Sequence, residues 1–139
     1  MDVGEPIWRE LSAPRFPSQW ERRLIGRLAQ AAGEPLLVEQ VATVVVDALC
    51  RCGCSSLRLC TDGPGVPAER VAQLSGSGRR DHVAVESSGS RGAGKRLVAV
   101  VLHVIEGRLA ELEVFDPVEG EGTAVPIAEI VHLSEPILV

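Results

Sequence analysis

The stretch RLVAVVLHVIEGRLAELEVFD, Arg96 to Asp116, constrains this chain more than any other. Its first half is a run of aliphatic and β-branched residues, its second alternates apolar with acidic, and Glu106-Gly107 lies between them. β-Branched side chains fit a pleated surface and glycine supplies the positive φ of a two-residue turn, so a β-hairpin is predicted. Counting outward from the turn pairs Ile105 with Arg108, His103 with Ala110, Val101 with Leu112 and Ala99 with Val114. The first strand is apolar on both faces, as a central strand covered on each side should be. Its partner sets Ala110, Leu112 and Val114 on one face against Glu111 and Glu113 on the other, so one face of it meets water or another chain.

The chain's 139 residues, 45% of them apolar, can bury about two thirds of the unfolded surface in one core and are too few for two ordinary domains. One domain over 1–139 is expected. Only 3% of residues are aromatic, with Trp8, Phe16, Trp20 and Phe115 as the large pieces, so the core must come from Val, Leu, Ile and Ala. Residues 1–17, punctuated by Pro6, Pro14 and Pro17, read as an extended arm. Ser18 then offers an N-cap and Glu21 completes a capping box, opening a helix with Trp20, Leu24, Leu28, Ala31 and Ala32 at helical spacing until Gly33.

Glu34-Pro35 can start a shorter helix through LLVEQV, after which TVVV favours a strand over 43–52, although a helix continuing to Leu49 also fits the apolar spacing. SSLRLCT is a further strand, with Leu57 and Leu59 facing one way and Arg58 and Cys60 the other. Residues 62–81 and 87–95 are rich in Gly, Pro and Ser and read as loops, the first interrupted by about two helical turns in PAERVAQL. HVAVES, from His82, is a short strand between them, and the apolar tail AVPIAEIVHLSEPILV should dock on the body. The expected fold class is α+β: one or two N-terminal helices packed on an antiparallel sheet of about four strands.

A net charge of −5 with scattered arginines leaves no basic stripe to follow a phosphate backbone, so nucleic acid is not an expected partner. The longest apolar run, LVAVVLHVI, is too short to span a bilayer, and the N-terminus shows no positive cluster leading into an apolar run. No membrane association is expected; the cytoplasm is the expected location, where thiols stay reduced.

Three motifs have residue types that could carry chemistry. GSRGAGKR, Gly89 to Arg96, matches the start of a phosphate-binding loop, but Arg96 stands where Ser or Thr must hold Mg²⁺ and leads into a strand instead of a helix. All four cysteines fall in ALCRCGCSSLRLC, as Cys50, Cys52, Cys54 and Cys60. Residues two apart on an extended strand stand roughly 7 Å from one another, so zinc binding by Cys52, Cys54 and Cys60 requires a bend at Gly53. Without that bend the thiols are small core residues, and a redox role lacks a C-x-x-C. His103 on the apolar strand reads as a hydrogen-bonded core residue, and Glu111 with Glu113 as a solvated pair.

Two stretches, CGCSSLRL at 52–59 and LHVIEGRLAELEVFD at 102–116, resemble together a group of small actinobacterial proteins of unknown function. Those proteins carry a C-G-C-x-S strand and a late D-G-x-L-x-x-L-E hairpin; here Glu106 replaces the usual Asp, and Cys50 and Cys60 are additional. A bacterial source also fits one lysine against thirteen arginines and the absence of Asn and Tyr. The resemblance supports the two strand assignments and implies no activity. With no catalytic constellation in sight, the expected function is a non-enzymatic interaction or accessory domain, homodimeric or bound to another protein through the sheet's open edges. The alternatives are a thiol-based zinc or redox module on the Cys50–Cys60 stretch, and a ligand pocket under the glycine-rich segment at 75–95.

Overall fold

The capping box expected at Ser18 forms in the computed structural model, which describes residues 8–51, 54–92, 97–118 and 125–139. Ser18 Oγ accepts the Glu21 N–H at 3.2 Å, and Glu21 Oε1 accepts the Ser18 N–H at 2.8 Å. Helix α1 (Gln19–Ala31) follows, ending before Gly33, whose φ of 72° suits a left-handed stop. Pro35 at the first position and the Glu34 carboxylate, which accepts the Leu36 N–H at 2.9 Å, open α2 (Pro35–Val41). The valine run then wins over helix continuation and forms β2 (Val45–Cys50), paired antiparallel with β3 (Leu57–Cys60).

The remaining elements are β1 (Trp8–Arg15), α3 (Ala68–Leu74), β4 (His82–Arg91), β5 (Leu97–Ile105), β6 (Arg108–Phe115), β7 (Ile130–Val131) and β8 (Ile137–Leu138). The sheet runs β1-β2-β3-β6-β5-β4-β7, with β8 also on β4, and every pairing is antiparallel. The α+β class holds, but among the described residues the sheet has eight strands instead of about four. Residues 8–15 of the expected arm pair with β2, and the tail supplies β7 and β8.

Strand β4 also extends to Arg91 through Ser87–Ser90, which the sequence assigned to a loop. Those small residues are needed there: a Cβ on Gly89 would lie 2.8 Å from the Val131 carbonyl oxygen, so only glycine lets β7 approach. Short edge strands and Pro14 on β1 protect the sheet from pairing edge to edge.

The core lies between the helices and one face of the sheet. Leu24, Ile25, Leu28 and Ala29 of α1 and Leu37 of α2 pack against Val83, Val85, Val100, Leu102, Leu112 and Val114. Trp20, expected in that stripe, is instead 42% exposed with the Arg23 guanidinium 5.0 Å from its ring centroid.

The hairpin turn forms as expected, with both Glu106 (φ 52°) and Gly107 (φ 80°) left-handed, as a type I′ turn requires. Its register differs from regular counting. Val104 pairs with Leu109, but His103 pairs with Glu111 and Val101 with Glu113, so Ala110 is an extra, bulged residue. The physical reason is burial: Leu109, Leu112 and Val114 all enter the core, and 109 and 112 have opposite parity in a regular strand.

Candidate functional site

Among the described residues, the bulge at Ala110 builds the site with the most specific geometry. By turning Leu112 and Val114 inward it turns Glu111 and Glu113 to the face that carries no helix, where β4 and β5 present Ala84, Glu86, Val101 and His103. His103 Nε2 lies 3.0 Å from Glu113 Oε1 and 3.8 Å from Glu111 Oε2. Its other ring nitrogen, Nδ1, lies 3.0 Å from His82 Nε2 on β4. The rings are 14° from parallel with centroids 5.3 Å apart, so the contact is edge to edge in nearly one plane, as an N–H···N bond requires, and not face-on stacking.

The four side chains are half-buried. The hydrogen bond to Glu113 lifts the His103 pKa above the ordinary histidine value against the opposing effect of burial, and the charges of Glu111, Glu113 and Glu86 add to the lift. His82 moves the other way, pushed down by burial and then by the charge of His103. Of the two rings, His103 is thus the one favoured to hold a proton. Burial pushes the Glu111 carboxyl above its ordinary value; the charge of His103 opposes this and that of Glu113 adds to it.

Beside this cluster, Arg58 of β3 pairs across the sheet with Glu111, yet its guanidinium turns away to Asp47 at 2.8 Å and Glu10 at 3.2 Å. Glu111 is left facing the histidine.

No protein-family model, no curated protein and no solved structure matches this chain. The chemistry of the site therefore rests on its own geometry.

The cysteines occupy a different region. Cys50 ends β2 and Cys54 lies in the turn that follows, both half-buried, whereas Cys60 is exposed at the end of β3 opposite Val45. Cys54 precedes β3 and Cys60 ends it. Cys52 and Gly53 lie outside the described residues, as do 93–96 of the glycine-rich motif. Among the described residues, His103, Glu111 and Glu113 form the one group of three ligand-type side chains within reach of a single ion. All three stand out in the sequence, where the glutamates read as solvated and the histidine as a core residue. The signal that finds the site is the Leu109-Ala110-Glu111-Leu112 spacing, because two core leucines three apart on one strand demand a bulge. No helix among the described residues is long and apolar enough to cross a membrane.

Proposed function

We propose that the protein is a non-enzymatic interaction module of the cytoplasm that binds a partner carrying cationic groups through the helix-free face of its sheet. The observation that carries this reading is the charge of that face. Glu10 and Asp47 are answered by Arg58, while among the described residues Glu111 and Glu113 face His103, which also feels the charge of Glu86. An acidic face steers and selects a basic partner, and disfavours a second copy meeting it face to face.

Capture experiments with the wild type, a Glu10→Lys/Glu86→Lys variant and a control Glu39→Lys on α2 test it. The expected result is a partner retained by wild type and control, lost with the face variant, and released by salt. Retention by the face variant, or no partner under any condition, would refute the reading.

Self-association is a second reading, favoured by a separate observation. Phe16 and Trp20, half of this chain's four large aromatics, are 68% and 42% exposed at the start of α1. Light scattering that shows a dimer lost in Phe16→Ser/Trp20→Ser would support it; a monomer at all concentrations would remove it.

A further inference from the structure

We propose that His103, Glu111 and Glu113 form a binding site for a divalent transition-metal ion of the zinc class, with His82 as the residue that positions the imidazole. The inference goes beyond the partner reading and does not depend on it. Three ligand atoms from two adjacent strands, an imidazole nitrogen and two carboxylate oxygens, lie within 4.8 Å of one another. Tetrahedral zinc with bonds of about 2.0–2.2 Å sets its ligand atoms about 3.4 Å apart. The distances from His103 Nε2, 3.0 Å to Glu113 and 3.8 Å to Glu111, bracket that spacing.

The second shell is also in place. A histidine that ligates through Nε2 needs an acceptor for its Nδ1–H, which fixes the tautomer and the ring plane. His82 Nε2 occupies that position at 3.0 Å, nearly coplanar with the ring it holds. The backbone supports the arrangement as well: Glu111 is the direct cross-strand partner of His103, and Glu113 lies two residues further along the same face. Two oxygens and one imidazole suit zinc, manganese or iron(II) better than the oxygen-only cations magnesium and calcium. Half-burial leaves one side open for water or a partner's group as the remaining ligand.

Zinc alone is the probe. Equilibrium dialysis with metal analysis, and competition against a chromophoric chelator, would be run on wild type, Glu111→Gln, Glu113→Gln and a Cys50→Ser/Cys52→Ser/Cys54→Ser variant, each checked for folding by circular dichroism. The expected result is roughly one zinc per chain, weakened at least about tenfold in both glutamine variants and unchanged in the cysteine variant. Cobalt loading should give ligand-field bands without sulfur-to-cobalt charge transfer. Absence of zinc from the wild type, affinity kept in both glutamine variants, or loss in the cysteine variant with charge transfer to cobalt would each overturn the proposal.

Discussion

The side-chain oxygen of Gln40, on α2, accepts the backbone N–H of Leu109 at 2.9 Å and thereby ties the helical layer to the first inward residue of β6. The same amide donates to the Gly107 carbonyl at 3.0 Å. Gln40 is 4% exposed, so these bonds form where water cannot replace them.

Gln40→Leu keeps the volume and leaves the Leu109 N–H buried without an acceptor, while the Gly107 carbonyl retains the Val66 N–H at 2.9 Å. A loss of about 1–3 kcal/mol is expected from that one orphaned donor. Urea unfolding should show a lower midpoint with an unchanged slope. An unaltered midpoint would mean that Leu109 finds another partner.

The turn itself makes two opposite predictions. A Cβ at Gly107 would lie 2.2 Å from the Val66 carbonyl oxygen, and the residue sits at φ 80°, so Gly107→Ala combines a backbone clash with left-handed strain. Destabilisation by about 3 kcal/mol or more is expected. Glu106 is also left-handed, at φ 52°, without being glycine. Glu106→Asn, a residue that tolerates this region, should stabilise by about 0.5–1 kcal/mol, read as a higher Tm.

Acid should weaken the junction of β1 with α1. Burial alone would raise the Glu21 carboxyl, but hydrogen bonds from Arg15, at 2.7 Å, and from the Ser18 N–H, with the Arg15 charge, outweigh it and hold the carboxyl below its ordinary value. A lowered folded value means that this contribution is complete above the unfolded pKa of about 4.3 and is lost as pH falls through the folded one. In Glu21→Gln the unfolding midpoint should fall less between neutral and acid pH than in the wild type. Equal slopes in the two proteins would exclude the contribution.

His82 gives a prediction separate from the ligands. His82→Ala should weaken zinc binding by about tenfold or more through loss of ring positioning, and His82→Gln, whose amide oxygen can accept from Nδ1–H, should restore part of it. A merely structural His82 would show equal loss in both variants, in parallel with their melting temperatures.

Local chemistry made the hairpin turn, the capping box and the helix stops legible, because each is fixed by a few adjacent residues: Ser18 with Glu21, Gly33, and Glu106-Gly107. The eight-stranded sheet was not legible, since β1, β7 and β8 gain their pairing from residues distant in sequence, and strands as short as Ile130–Val131 carry no periodicity. Polar Ser87–Arg91 reads as loop until the approach of β7 is known. At the candidate site the residues were in view and their meeting was not: regular counting put His103 opposite Ala110, and one bulged residue separates that register from the observed one.

That single residue has an evolutionary consequence. With Ala110 kept and the bulge ironed out, His103 would face Ala110, Leu112 would leave the core and the glutamates would leave the histidine; with Ala110 deleted, Leu109, Glu111, Leu112 and Glu113 would alternate regularly and keep both. The cluster thus has two routes, a bulge in a hairpin of this length or a regular ladder in one shorter by a residue, so related chains can keep it through a one-residue change in hairpin length.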